Sequence, residues 1–184
     1  RFGTGAAGAP IHIAVVGPMT GGNEENGRAF VEGALLYVDE VNRDGGIDGH
    51  RIVLDVFDDQ NKPELADEAA RAIAEGGEVV AVIGHNYSSC SIAGGKVYSQ
   101  EGIPAISPSS TAPSVTIGND WYFRTIFSDS LEGSFIPNYI VRVLGEKRVA
   151  LIAEHGAENV YDFTLRNPSA EPPAPFHREL LRIA

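Results

Sequence analysis

Residues 79–113, VVAVIGHNYSSCSIAGGKVYSQEGIPAISPSSTAP, constrain the fold of this chain more than any other segment. Two short apolar runs, Val79–Ile83 and Ile103–Ile106, each stop at a hydroxyl-rich turn. The first turn is Gly84-His85-Asn86-Tyr87-Ser88-Ser89 and the second is Ser107-Pro108-Ser109-Ser110-Thr111. The stretch between them, from about Ser89 to Glu101, predicts one helix. Strand, polar turn, helix, strand, polar turn is a βαβ unit whose two strands run the same way. In open parallel sheets, ligands bind outside the carboxyl ends of the strands. The pattern therefore puts hydroxyls and free backbone amides where a small polar molecule can sit.

The flanking segments repeat the alternation. Ile11–Val16 reads as a buried strand ending at Gly17-Pro18. Residues 18–26 read as a polar loop, followed by a helix from about Gly27 to Arg43. Phe30, Ala34, Val38 and Val41 recur there at helical spacing, with Val31 and Leu35 widening the stripe. Asp44-Gly45-Gly46 stops that helix. Arg51–Phe57 reads as a strand closed by Asp58-Asp59-Gln60. The next helix has Pro63 in its first turn and Asn61 as its expected cap. Its small face of Ala66, Ala69, Ala70 and Ile73 suits close packing on a sheet. Beyond the central unit, Trp121–Ile126 predicts a strand. Leu131–Leu144 predicts a helix with Ile136, Ile140 and Val143 inward despite Pro137, and Arg148–Ala153 predicts a further strand. The order β-α-β-α-β-α-β-β-α-β predicts an α/β fold with a doubly wound parallel sheet. After Glu154 the period fades. Residues 155–175 carry four prolines and read as a loop, richest in proline over 167–175.

Charge narrows the partners. Asp and Glu outnumber Lys and Arg 25 to 14, a formal net charge of −11, which argues against nucleic acid or an anionic membrane surface. A lone cysteine, Cys90, permits no intrachain disulfide, and its place in the predicted helix makes it a small packing residue. No apolar run reaches the length of a membrane-crossing helix. The chain begins at Arg1, followed by the small-residue stretch Gly3–Pro10, and this reads as a trimmed or processed start.

Several groups are candidates for chemistry. Ser88 and Ser89 open a helix, where first-turn amides lack an intrahelical acceptor and the dipole is positive. Such a site suits a carboxylate, with a serine hydroxyl as a further donor. The plainer alternative is that one serine caps the helix. Tyr87 lies in the same turn. Ser109, Ser110 and Thr111 offer carbonyls and hydroxyls that can accept from an ammonium or amide, or they form an ordinary Ser/Thr turn before Pro113. The two turns lie side by side in a parallel sheet, one with donors and one with acceptors. Together they suit a zwitterion such as an amino acid. Asp58 and Asp59 are the other option, as the acid pair of a small α/β enzyme or receiver-like domain. His85 reads as a structural hydrogen-bonding residue. The five histidines show no metal-ligand spacing. There is no G-x-G-x-x-G after the first strand, no P-loop and no G-x-S-x-G elbow. No catalytic residue, cofactor or metal is predicted.

The runs IHIAVVGPMTGG at 11–22, VNRDGGIDGHRIVLDVFDDQNKP at 41–63, the 79–113 segment and YFRTIFSDSLEG at 122–133 together resemble the type I periplasmic solute-binding proteins, with the Leu/Ile/Val-binding protein as archetype. The resemblance covers residues 11 to 154. It implies a two-lobed α/β clamp for an amino acid or related small carboxylate or amide. Residues 1–10 are then a flexible N-terminal segment and 11–127 the first ligand-binding lobe. Residues 128–184 are the crossover and a partial or divergent second lobe. The resemblance puts Ser88 at the ligand carboxylate, and Ser109 and Thr111 at its charged ends. Where the family often has an aromatic residue over the ligand side chain, this chain has Asn26, which implies a more polar ligand. Tyr161 is the candidate for a second-lobe tyrosine. The implied roles are a transport receptor serving a membrane permease, or the sensor region of a signalling protein, in the periplasm or outside the cell. An exposed sheet edge left by absent return segments would favour a homodimer.

Overall fold

The apolar stretches and the turns that end them form a parallel sheet in a computed structural model, which describes residues 8–145. The strands are β1 (Ile11–Gly17), β2 (Ile52–Asp58), β3 (Val79–Gly84), β4 (Ala105–Ser107) and β5 (Tyr122–Arg124). The helices are α1 (Glu24–Arg43), α2 (Pro63–Gly76), α3 (Ser88–Glu101) and α4 (Asp129–Arg142). All four strand pairings are parallel, in the spatial order β2-β1-β3-β4-β5. The chain divides into two compact units at Ile126/Phe127. The first holds the sheet with α1 to α3. The described part of the second is α4 and its flanks, with Pro137 inside the helix.

The order dictates the layers. The chain leaves β1 through α1 to reach β2 on one side, then returns through α2 and α3 to strands on the other side. Right-handed crossovers therefore place α1 on one face and α2 with α3 on the opposite face. Ala14 and Val16 of β1, Val82 of β3, Ala105 of β4 and Tyr122 of β5 line the second face. They pack against Ala70 and Ile73 of α2 and Val97 and Tyr98 of α3. Ala66 and Ala70 are fully buried, so small side chains let α2 approach the sheet as expected. Strand order reverses between β1 and β3. At such a point the loops leaving the two strands diverge and open a crevice at the carboxyl end of the sheet.

Several expectations are corrected. Helix α1 starts at Glu24, three residues before the expected Gly27, because Glu24 and Glu25 supply a favourable acidic first turn. Asn26 therefore sits on the helix, and the polar loop is shorter. Gly27 allows this early start: a Cβ there would collide with the Pro18 carbonyl. Leu35 is exposed; Val38 is the buried apolar residue of that stripe. Asn61 is no cap for α2. The N-cap is Lys62, without a side-chain bond, and Asn61 adopts a left-handed turn with its amide donating to Asp59 Oδ1 at 2.9 Å. Val143 follows α4 and is exposed, not inward. The expected strand Arg148–Ala153, the proline-rich loop and Tyr161 lie outside the described residues.

Candidate ligand-binding site

The first turns of α1 and the turns after β3 and β4 line an open cleft of about 550 Å³. Ala29, Phe30 and Pro108 give it an apolar floor, and Asn26, Asn86, Tyr87 and Ser109 line its polar side.

The β1 loop is pinned from β2. The Asp58 carboxylate accepts from the Met19 amide at 2.8 Å, the Thr20 amide at 3.3 Å, the Thr20 hydroxyl at 2.5 Å and the Gln60 amide at 3.0 Å. Burial alone would raise the pKa of this carboxyl. The bonds from Thr20, Gln60 and Met19 outweigh that and hold it below its usual value. Asp59 points the other way and is 1% exposed, with Oδ2 bound to His85 Nδ1 at 2.7 Å. The two acids thus hold separate parts of the scaffold and present no joint carboxylate pair to solvent. No cluster of metal-ligating side chains occurs among the described residues.

Helix α3 delivers the donors. Its N-cap is Tyr87, with no side-chain cap bond, so the alternative of a serine cap is not what forms. Ser88 is the first helical residue. Its Oγ accepts from the Ala112 amide at 3.2 Å, which leaves its own hydroxyl hydrogen available. The first-turn amides of α3 face the same end of the sheet. Tyr87 is tied to α1: Asn26 Nδ2 donates to its phenol oxygen at 2.8 Å, and that hydroxyl donates to Asn23 Oδ1 at 3.1 Å. Asn26 Oδ1 has no protein partner among the described residues.

The β4 turn divides its hydroxyls between scaffold and cleft. Ser110 is 1% exposed, and its Oγ lies 2.7 Å from Ser91 Oγ, so it builds the turn and offers nothing to the cleft. The Ser109 hydroxyl donates to the Asn86 carbonyl at 2.5 Å. The Ser109 carbonyl and the Thr111 hydroxyl have no protein partner among the described residues. The carbonyls of Ser110 and Thr111, expected as acceptors for a ligand, are taken by Arg124 of β5 at 3.1 and 2.8 Å. Arg124 also donates to the carbonyls of Ala112 and Pro113 and to Thr116 Oγ1. Sequence reading missed Arg124, whose role depends on β4–β5 pairing of Ser107 with Arg124.

Behind the turns, His85 Nε2 lies 3.1 Å from the Tyr98 hydroxyl, and the His85 amide donates to the Tyr122 hydroxyl at 2.8 Å. Burial pushes both phenols well above their usual range, so they stay protonated donors. Cys90 is fully buried, as expected of a packing residue. Burial, then the nearby Asp59 charge, pushes its thiol up to about 12.

Comparison with known proteins agrees with this architecture. The family model for periplasmic binding proteins matches residues 10–160. An amino acid binding protein of Pseudomonas aeruginosa is 39% identical over 145 residues, which is 78% of this chain and 39% of that one. A leucine-, isoleucine-, valine-, threonine- and alanine-binding protein of the same organism is 33% identical over 143 residues, 77% of this chain and 38% of that one. The structure is similar to the substrate-binding protein of a branched-chain amino acid transporter from Streptococcus pneumoniae, solved with isoleucine. That match has a TM-score of 0.68 and 33% identity, and covers 74% of this chain and 39% of the other. The chain therefore belongs to the periplasmic binding protein family, and its sheet is a type I lobe. It spans about two fifths of the length of the relatives it matches.

Proposed function

We propose that this chain supplies the first-lobe half of a receptor site for a small zwitterion, with an amino acid as the preferred ligand class. One observation carries the reading. The turns that carry Ser88 and Ser109 are bonded to each other, and the Ser88 hydroxyl hydrogen, the Ser109 carbonyl and the Thr111 hydroxyl have no protein partner among the described residues, so donors for a carboxylate adjoin acceptors for an ammonium. The cleft floor of Ala29, Phe30 and Pro108 suits an apolar stem, and Asn26 at its rim suits a polar group on the ligand side chain. The named ligands of the relatives, branched-chain amino acids with threonine and alanine, support the same class.

The site lies in the periplasm or outside the cell, and the complete receptor works with a membrane permease or a signalling domain. This reading makes the chain a binder: Asp58 and Asp59, the acids an enzyme or receiver would use, are committed to scaffold bonds. A thermal-shift screen of L-amino acids, small carboxylates and amides tests this reading. Saturable stabilisation by a free amino acid is expected. Stabilisation confined to divalent metals or phosphoryl donors would favour an enzyme or receiver instead.

A further inference from the structure

We propose that His85 is a positioning residue of this site, setting the spacing between the turn that carries Ser88 and the turn that carries Ser109. The inference rests on the solute-binding reading above. The His85 ring is fully buried and is held from two elements, by Asp59 Oδ2 after β2 and by the Tyr98 hydroxyl of α3. Room for it is reserved, because a Cβ on Gly94 of α3 would collide with Nε2.

What the ring anchors is the His85 peptide. Its carbonyl accepts from the Ser107 hydroxyl at 2.8 Å and the Ser91 hydroxyl at 3.2 Å, and the Ser110 hydroxyl donates to Ser91 Oγ at 2.7 Å. Its amide meets the Tyr122 hydroxyl, which in turn donates to the Gly84 carbonyl at 2.5 Å. One carbonyl three residues before Ser88 therefore anchors the base of the β4 turn, directly through Ser107 and by way of Ser91 through Ser110. Any residue here would carry that carbonyl; what the ring adds is a fixed place for it, through its bonds to Asp59 and Tyr98.

The partners also assign the tautomer. Asp59 is an acceptor on both oxygens, from Asn61 and from the ring, so Nδ1 carries the proton. Nε2 is then the acceptor that the Tyr98 hydroxyl needs. Replacing Asp59 by asparagine would present an amide hydrogen to Nδ1 and favour the other tautomer.

The test uses the 184-residue chain, nitrogen-edited NMR, and titration with L-threonine and L-isoleucine. In the wild type, Nδ1–H is expected. In Asp59→Asn the proton moves to Nε2, the amide signals of residues 86–89 and 109–111 shift, and affinity falls about tenfold. Ser107→Ala, which leaves the ring untouched, should shift the same amides. His85→Asn keeps a donor to Asp59 and should retain more affinity than His85→Ala. Lowered thermal midpoints with unmoved turn amides and an affinity within about twofold of wild type would overturn the proposal. If the turn amides move but the wild type binds neither amino acid nor any other zwitterion, the solute-binding reading fails and the positioning role stands.

Discussion

The Ser109 hydroxyl donates to the Asn86 carbonyl at 2.5 Å and so stitches the turn after β4 to the turn after β3. The bond from the Ala112 amide to Ser88 Oγ repeats the stitch one step further along. Two turns far apart in sequence thus behave as one surface. The free groups on that surface are set by which serines are already used.

Arg124 secures the far side of that surface. Its guanidinium donates to four successive carbonyls, Ser110 to Pro113, and to Thr116. Lysine has a single ammonium and cannot span that arc. Arg124→Lys should lower unfolding stability by about 1–3 kcal/mol, with Arg124→Ala at the upper end, since part-buried carbonyls lose their donors. Chemical denaturation with an unchanged slope is the check, and hydrogen exchange at residues 110–116 should rise first.

Asp58 should make the β1 loop acid-sensitive. Its pKa is depressed in the folded chain, so its stabilisation is fully present above the usual value of 3.8 and is lost as pH falls through the lower folded value. Hydrogen exchange at Met19 and Thr20 should accelerate in that acid window and not between neutral pH and pH 5. Asp58→Asn should remove the pH dependence while already loosening the loop at neutral pH.

Cys90 should be inert in the folded state. Its side chain is buried at the start of α3 and its thiol is pushed up to about 12, so little thiolate forms at neutral pH. A thiol-reactive reagent should label it only after denaturant is added. Rapid labelling of the native chain would mean that the N-terminus of α3 opens readily.

The parts of this structure legible in the sequence are those with local causes. β-branched runs, helical spacing and the turn residues at 84–89 and 107–111 gave the parallel α/β order and placed the cleft at the strand ends. The misreadings have nonlocal causes. Ser109 and Ser110 are indistinguishable by type, and only the pairing of β3 with β4 buries one and leaves the other half-buried at the cleft. Asn61 carried the chemistry of a cap, yet the Asp59 carboxylate captured its amide and turned the chain left-handed. The Asp59–His85–Tyr98 chain joins residues from the turns after β2 and β3 and from α3, which no spacing pattern connects. The start of α1 had a visible signal in Glu24 and Glu25, masked by the glycines just before them.

Asn26 is the residue proposed to set ligand choice. Its Oδ1 faces no protein donor among the described residues, while its Nδ2 holds Tyr87. Asn26→Leu should shift preference from threonine-like toward isoleucine-like ligands by about tenfold in relative affinity, since an unpaired polar rim is replaced by apolar surface. Competition titrations on the two proteins measure the ratio.

The central claim is that Ser88 and Thr111 hold the two charged ends of one zwitterion. Isothermal titration of the best amino acid from the screen into wild type, Ser88→Ala and Thr111→Ala tests it most directly. Each substitution should cost about 1.5–3 kcal/mol of binding, the loss of a hydrogen bond to a charged group, with thermal midpoints of the unliganded proteins little changed. Unaltered binding by both variants would contradict the assignment.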